Sequence, residues 1–455
     1  MTTTDLFDPL LLNKYNISGP RYTSYPTAPA FSDNIPATLL ADAAATSARD
    51  LSLYIHIPFC HSLCYYCGCS KIITRHQDKA DRYLDYLEIE IQRRAPAFKN
   101  KTVREIHLGG GSPSFLTQAQ HTRLRDMLFS HFSVARKPQM SVEIDPRRFE
   151  KADLSHLFAL GYNRLSIGVQ DVDYQVQQAI NRVQSTAHIA ALIDHARLLG
   201  FSSINIDLIY GLPHQTPETF RQTLSATKAM TPDRVSLFSY AHLPSRFAAQ
   251  RKIRDEWLPG PADKLALMKQ AIESLTDYGY IMVGMDHFAL PDDDLAKARQ
   301  AGQLHRNFQG YTTGAELDLL GLGVTAISAM GNTYGQNPKD LNTYYRILDE
   351  QGQLTEKGIC LSQDDLIRRD VIMALMCNLT VDFSDIEGRY GIDFSAYFRD
   401  ELEQLAPFVK DEVLHFDEQR IVVEEKARLF IRIIAMTFDA YLNQHQHVTR
   451  YSRVI

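Results

Sequence analysis

From residue 51 to residue 240 the chain alternates short β-rich runs with amphipathic helical runs, and no other feature constrains its fold as much. The strand candidates are Leu51–Ile57, Arg104–Leu108, Met140–Ile144, Arg164–Gly168, Ser203–Ile209 and Arg234–Tyr240. Each is apolar or alternating and rich in β-formers. Helical spacing intervenes over Asp81–Arg93, where Tyr83, Leu84, Leu87 and Ile91 share one face, and over Gln118–His131, Ala152–Leu160, Thr186–Leu199 and Pro217–Met230. Strands joined through helices pair in parallel, with the helices covering the sheet. The array predicts an α/β fold, an open or partial (β/α)6 TIM-like barrel that is short of the complete eightfold one. A doubly wound sheet is the alternative that the same alternation allows.

The flanks differ from this array. Residues 1–46 show no clear period, and Gly19-Pro20-Arg21-Tyr22-Thr23-Ser24-Tyr25-Pro26 reads as an extended, turn-rich arm. Toward the other end, Ser362 and Asp365 have the spacing of a helix N-cap with an acidic third position. Helix is predicted through Asp370–Cys377 and again from Lys426 to Leu442, with a small hairpin at Leu414–Phe416 and Arg420–Val423. A chain of 455 residues exceeds one ordinary core. The expected organisation is an N-terminal arm over the active site (1–46), the barrel with its extension (47–355) and a mostly helical C-terminal domain (356–455).

The formal net charge of −6 argues against a dominant nucleic-acid role, while leaving room for a local basic pocket. Met1–Asn16 contains Asp5, Asp8 and only a short apolar run, unlike a signal peptide. No stretch approaches the roughly 18 apolar residues of a membrane helix; Leu429–Met436 is short and interrupted by Arg432. A cytoplasmic, reducing location without disulfides is expected.

Four of the six cysteines crowd into one run, Cys60-His-Ser-Leu-Cys64-Tyr-Tyr-Cys67-Gly-Cys69, directly after the first strand. In a reducing compartment such crowding points to metal. A three-cysteine loop can hold three irons of a four-iron cluster and leave the fourth open to a small molecule. Zinc is the rival reading, although structural zinc sites commonly join two separated pairs. Cys360 and Cys377 read as packing residues of the C-terminal domain.

Candidate functional segments follow the strands, at the ends where parallel α/β folds assemble ligand sites. Gly109-Gly110-Gly111-Ser112-Pro113 follows the second strand, where glycines permit close backbone approach to a ligand with free N–H and C=O groups, or simply a tight turn. Glu143 ends the third strand and suits an ammonium or a ribose hydroxyl. Gln170 follows the fourth and offers both donors and acceptors. Arg182 could grip a carboxylate with two prongs, or be an ordinary helix arginine. Asp207 stands inside an apolar strand, where a carboxylate is costly without a partner. Ala241, after the sixth strand, would contribute backbone and packing.

Cys-x3-Cys-x2-Cys with Tyr66 before the last cysteine resembles the signature of the radical S-adenosylmethionine (SAM) superfamily. The longer strings Tyr54-Ile-His-Ile-Pro-Phe-Cys60 and Cys67-Gly-Cys69 resemble, within it, the oxygen-independent coproporphyrinogen III oxidases, or coproporphyrinogen dehydrogenases. The resemblance runs on through Gly19–Ala28, Gly109–Pro113, Asn205–Pro213, Tyr240–Pro244 and His305–Tyr311 to Tyr451–Ile455. It implies a barrel of the radical SAM type in which Cys60, Cys64 and Cys67 hold one [4Fe-4S] cluster. It implies two SAM molecules lined by Tyr54, Tyr66, Gly110, Gly111, Ser112, Glu143, Gln170, Arg182, Asp207, Ala241 and Ile327, with Gln309 and Ile327 around the second. Tyr54, His56 and Glu143 are the expected catalytic residues, and Cys69 is an additional cysteine beside the cofactors that does not ligate the cluster.

The implied reaction turns two propionates of coproporphyrinogen III into vinyl groups. A SAM-derived 5′-deoxyadenosyl radical takes a hydrogen from each propionate β-carbon, carbon dioxide and one electron leave, and protoporphyrinogen IX results without dioxygen. Arg21, His305 and Arg306 are candidates for holding the propionates, with surface ion pairs as the plainer alternative. An electron donor of the flavodoxin-like or ferredoxin-like kind and an unidentified terminal acceptor are the expected partners of a monomer. The rivals are a haem-binding chaperone of the same superfamily, which lacks counterparts of Cys69, Gly19–Ala28 and His305–Tyr311, and a zinc-stabilised binding protein.

Overall fold

The computed structural model describes residues 7–442. Its contacts divide the chain into two units, each drawn from separated stretches. One joins Phe31–Leu267 with Glu316–Cys360; the other joins the chain up to Ala30 with Met268–Ala315 and Leu361 onward.

Parallel strands β1 (Leu51–Ile57), β2 (Thr102–Gly110), β3 (Ser133–Ile144), β4 (Arg164–Gln170), β5 (Ser203–Tyr210) and β6 (Arg234–Ser239) carry the first unit. They lie side by side in chain order. Helices α1 (Asp78–Arg94), α2 (Gln118–His131), α3 (Lys151–Ala159), α4 (Thr186–Leu199) and α5 (Pro217–Met230) separate them. A doubly wound sheet reverses its winding direction at an early strand; this order never reverses, so the winding is that of a barrel. The far edge of β1 is taken by β7 (Asp318–Leu322) in parallel, followed by antiparallel β8 (Ile327–Met330), β9 (Thr333–Gln336) and β10 (Lys357–Cys360). The six strands therefore do not close on themselves, and the barrel is partial.

Local chemistry starts and stops these elements. Thr117 and Gln120 form a reciprocal capping box on α2, Ser185 accepts from His188 N–H at the start of α4, and Gly200 ends α4 at φ 100°. Pro217 opens α5 behind its cap Thr216. β3 is longer than the Met140–Ile144 run because Ser133–Gln139 joins it.

Sheets covered on both faces usually read as continuous apolar runs. Here the parallel strands alternate instead. Leu51, Leu53, Ile55 and Ile57 on β1, Ile106 and Leu108 on β2, and Val142, Ile167, Ile206 and Val235 on their neighbours are buried to within 1%. They form the outer face with the α1 side chains Tyr83, Leu84, Leu87 and Ile91, also fully buried. Each such side chain contributes about 1.5–3 kcal/mol. The alternate residues are Tyr54 and His56, His107, Ser141 and Glu143, Ser166 and Gly168, Asn205 and Asp207, and Ser236. Register brings this inner set into rows: Tyr54 opposite His107 and then Ser141; Glu143 opposite Ser166 and then Asn205; Gly168 opposite Asp207 and then Ser236. A polar row across a parallel sheet has no packing purpose.

A buried carboxylate pins the β7 end of this unit. Glu90 on α1 accepts from the Gly323 amide, Asn337 and the Tyr344 hydroxyl at 2.7–2.8 Å, and pairs with Arg94 at 2.9 Å.

The second unit is built on the helix Gln363–Asn378, capped reciprocally by Ser362 and Asp365. The hairpin Leu414–Phe416 with Arg420–Val423 forms as the sequence predicts, and Thr380–Asp382 adds a third strand. The helix expected over Lys426–Leu442 is shorter: Glu425–Phe430 is a 3-10 turn and only Ile431–Met436 is α-helical. Arg299 holds Glu425 at 2.7 Å, and buried Arg432 reaches the Gly19 carbonyl at 3.2 Å, so tertiary bonds replace helix continuity. The N-terminal segment belongs to this unit through Tyr22, whose hydroxyl donates to Asp439 at 2.8 Å, and Tyr25, whose hydroxyl accepts from the Ala440 amide at 3.1 Å. Cys377 is buried in this unit, but Cys360 lies exposed at the end of β10 in the other, so it is not a packing residue of the C-terminal part. Among the described residues no helix is long and apolar enough to cross a membrane. The Tyr451–Ile455 segment lies outside the described residues.

Candidate active site

The cysteine loop begins where β1 ends. Phe59–Cys60 pairs in parallel with Ile72–Ile73, closing Cys64, Cys67 and Cys69 into one loop. Its partners come from across the sheet. The guanidinium groups of Arg147 and Arg182 both reach the Cys64 sulfur at 3.4 Å. Asn181 donates to the Leu63 carbonyl at 2.7 Å, and the Tyr65 amide to Ile180 at 2.9 Å. Lys71 Nζ donates to the Cys67 carbonyl at 2.9 Å.

Burial, then the neighbouring Cys67 and Cys64, push the Cys60 thiol up to about 12. The hydrogen bond between Cys69 and Cys67 holds Cys67 down, at about 6, and Cys69 up. Burial raises the Asp145 carboxyl, but Arg182 and Arg147 outweigh it and hold it at about 2. Among the described residues no three His, Cys, Asp or Glu side chains converge on one ion position.

The glycine loop locks rather than opens. The Gly111 and Ser112 amides donate to the Ile57 and Phe59 carbonyls at 2.8 and 2.9 Å, so they are not free for a ligand as the sequence suggested. Gly110 sits at φ +111°, and a Cβ there would lie 2.5 Å from the His56 ring. Only glycine allows that approach. Ser112 bonds Ser114 at 2.7 Å, and Ser114 accepts from the Asp145 amide at 2.9 Å.

On the inner face, His56 Nε2 meets the Ser70 carbonyl at 3.2 Å and Nδ1 meets the Tyr54 hydroxyl at 3.1 Å. The carbonyl requires a proton on Nε2, so Nδ1 accepts from Tyr54. Burial lowers the imidazole to about 4, which keeps it neutral. Tyr54 stacks on His107 with ring centroids 5.8 Å apart. His107 Nε2 lies 3.2 Å from Glu143 and its Nδ1 2.6 Å from the Ser141 hydroxyl. A Cβ on Gly109 would lie 3.0 Å from Glu143. Asp207 accepts from Asn205 at 2.9 Å. Burial first and the Glu143 charge second push it up to about 7. Arg182 is the cation that acts on Asp207, and more weakly than Glu143 does.

Gln170 follows a register break in β4 and adopts φ 67°. Among the described residues its Oε1 is buried without a partner, as is Arg182 Nε. Arg182 otherwise donates to the Gly168 carbonyl at 2.7 Å. Gln250 ties Tyr66 to Ala241, donating to their carbonyls at 3.0 and 3.2 Å. The Ile327 backbone lies where a Gly321 Cβ would be, 2.4 Å away, and Gly321 is the register partner of Tyr54.

The residues expected at the SAM sites thus gather at one end of one sheet, except Gln309. That residue lies in the second unit, in a turn where its amide donates to Asn307 at 2.9 Å. Arg21, His305 and Arg306 belong to that unit too. Arg21 is ion-paired with Asp286. Arg306 is buried with its guanidinium 4.5 Å from the Tyr311 ring centroid, and among the described residues its Nε and Nη1 have no hydrogen-bond partner. His305 is exposed on a short strand. Sequence reasoning missed His107, Asp145, Arg147 and Gln250. For the first two a signal existed: His107 and Asp145 keep the strand parity of Gly109 and Glu143.

The chain matches the model of the radical SAM superfamily over residues 54–226 and that of the HemN C-terminal domain over residues 361–430. It is 53% identical to an oxygen-independent coproporphyrinogen III oxidase of Salmonella typhimurium, over 99% of this chain and 98% of that one. It is 44% identical to the protein of that name in Pseudomonas aeruginosa, over the full length of both. The solved structure of coproporphyrinogen III oxidase (HemN) from Escherichia coli, described as a radical SAM enzyme, superposes with a TM-score of 0.92 at 51% identity, covering 96% of this chain and all of that one. With the cysteine loop at the end of a polar-lined partial barrel and relatives matched over their whole length, the chain belongs to the oxygen-independent coproporphyrinogen III oxidase family of the radical SAM superfamily.

Proposed function

We propose that this protein oxidatively decarboxylates two propionates of coproporphyrinogen III to vinyl groups, giving protoporphyrinogen IX for haem biosynthesis without dioxygen. The observation that carries this reading is the 53% identity with a named oxidase over essentially the full length of both chains. The rival reading as a haem chaperone gains nothing from the relatives described above, all of them oxidases.

The enzyme uses a [4Fe-4S] cluster and SAM, and the donor set fits both. Cys60, Cys64 and Cys67 would hold the cluster, with two guanidinium groups donating to the Cys64 sulfur. Glu143 acts electrostatically on Asp207, and two carboxyl groups so close suit the ammonium and sulfonium of SAM. The buried, partnerless Gln170 Oε1 is an acceptor waiting for a donor. When bound, the cluster and SAM supply a 5′-deoxyadenosyl radical by reductive cleavage.

The remaining steps belong to the chain's own groups. The Gly109–Ser112 loop, fastened to β1, gives a ligand a rigid floor. Tyr54, His56 and Glu143 form the catalytic row: neutral His56 fixes the Tyr54 hydroxyl, and His107 fixes Glu143, so neither side chain reorganises when a ligand arrives. Arg182 and Tyr66 border the SAM site, Ala241 supports Tyr66 through Gln250, and Ile327 lies beside Tyr54. A second SAM near Gln309 and Ile327, propionate contacts from Arg21, His305 and Arg306, and a non-ligating Cys69 remain parts of this reading. So do a cytoplasmic location, a monomeric state and a flavodoxin-like or ferredoxin-like donor.

The test is anaerobic. The protein is reconstituted with iron and sulfide and given SAM, dithionite, coproporphyrinogen III and cell extract as acceptor, and porphyrins are followed by chromatography. SAM-dependent protoporphyrinogen IX is expected, with none from Cys64→Ser. SAM cleavage without vinyl product would overturn the substrate, and no cleavage alongside stable haem binding would favour the chaperone.

A further inference from the structure

We infer that the outer surface of the cysteine loop is the docking face for an acidic one-electron carrier protein. The inference rests on the proposed function, which needs electrons delivered from outside.

A shallow cleft of about 480 Å³ opens on this surface. Its floor is the loop itself, through His61, Ser62 and Leu63, which stand between the proposed ligands Cys60 and Cys64. The opposite wall is the strand Ile72–Ile73 and the start of α1. The two walls share backbone bonds: the Thr74 amide donates to the Cys60 carbonyl at 3.0 Å, and Ile73 is the register partner of Cys60. A molecule seated here is one residue from a cluster ligand without entering the inner face of the sheet.

The cleft's chemistry is that of a protein interface. Ile73, one of its lining residues, is 41% exposed. Arg75, His76 and Lys79 stand around it, all exposed. Neither Arg75 nor Lys79 makes an ion pair among the described residues. Arg148, also exposed, acts electrostatically on His61 together with Arg75 and Arg147. The carboxylate that acts on His61, Asp145, is already held by Arg147 and Arg182. An exposed isoleucine with basic side chains about it, on a chain of net charge −6, is a local reversal of the protein's charge. Such a rim steers an acidic partner and fixes its orientation. A carrier of low potential with an acidic surface fits this position, because electron transfer falls steeply with distance. One electron leaves the carrier's reduced flavin or iron–sulfur centre and enters the cluster, so the carrier is oxidised by one equivalent and the cluster reduced by one.

The experiment uses the reconstituted holoenzyme and two probes, a reduced flavodoxin and a reduced ferredoxin, both acidic. Wild type, Arg75→Glu/Lys79→Glu and, as a control on the second unit, Arg399→Glu are compared for carrier binding across a salt series and for stopped-flow cluster reduction. Dithionite-driven turnover is measured alongside. The expected result is a loss of about 10- to 100-fold in carrier affinity and reduction rate for the double variant, with a flatter salt dependence. The control and all dithionite rates should stay unchanged. Equal carrier kinetics in the double variant overturn the docking face. Failure of both carriers to bind or reduce a wild-type cluster that dithionite reduces overturns it as well. A raised KM for coproporphyrinogen with dithionite would mean that the cleft holds substrate carboxylates, which also overturns it. Absence of SAM cleavage by wild type with dithionite would instead sink the proposed function.

Discussion

On β1, Leu51, Leu53, Ile55 and Ile57 are fully covered, while Tyr54 and His56 stand between them on the other face. The two sets are one residue apart, and the same division runs across β2 to β6. On the outer face identity is set by volume and apolarity, because the neighbours are helix side chains packed at crystal-like density. On the inner face it is set by hydrogen-bond capacity, because the neighbours are other polar side chains and, by our reading, ligands. A residue's parity on the strand therefore decides whether a substitution is felt as lost stability or as lost chemistry.

The sharpest test of this division is on β1. Ile55→Ala should cost about 2–5 kcal/mol of stability. The surviving folded fraction should retain SAM binding, read by denaturant unfolding beside equilibrium binding. If Ile55→Ala instead spares stability and abolishes SAM binding, the division by parity is wrong. On the inner face Glu143→Gln should do the reverse. Loss of a charge-assisted contact should weaken SAM binding by about 1.5–3 kcal/mol, while the unfolding midpoint hardly moves. A large drop in that midpoint would make Glu143 a structural residue.

A third effect is one of pH. Asp207 is pushed up to about 7 in the fold from an ordinary value of 3.8. The folded state therefore holds its proton more tightly than the unfolded chain. That contribution is complete below pH 3.8 and is lost as pH rises through 7. Asp207→Asn should remove this slope. The ligand-free variant should gain stability over wild type at pH 8, and the gain should vanish toward pH 4. A difference constant across that range would mean that Asp207 is not enclosed as described.

Much of this architecture is legible along the chain. Helices Thr186–Leu199 and Pro217–Met230 coincide with their predicted spans, because their caps Ser185 and Thr216 and the stop at Gly200 are local chemistry. The Ser362–Asp365 capping box is legible for the same reason. The strands Asp318–Leu322, Ile327–Met330 and Thr333–Gln336 were not, since runs of four or five residues are too short to show a period. The site divides similarly. Cys60, Cys64, Cys67 and the glycine loop announce themselves by spacing and by family resemblance. Arg147 does not, since its bond to Cys64 spans 83 residues and its sequence neighbours say nothing of sulfur.

The sequence by itself determined the alternation of strand and helix, the parity that separates covered from polar residues, and the clustering of cysteines after the first strand. These depend on dihedral preference, capping and side-chain periodicity within a window of a few turns. Only the tertiary structure decided that the Gly111 and Ser112 amides would be spent on the Ile57 and Phe59 carbonyls rather than left for a ligand. It alone set His107 against Tyr54 and Glu143, and two arginines against Cys64. It also built the second unit from three separated stretches. Such choices depend on the register of distant strands, which no local window contains, because a pairing becomes favourable only once the intervening chain has folded and its closure entropy has been met.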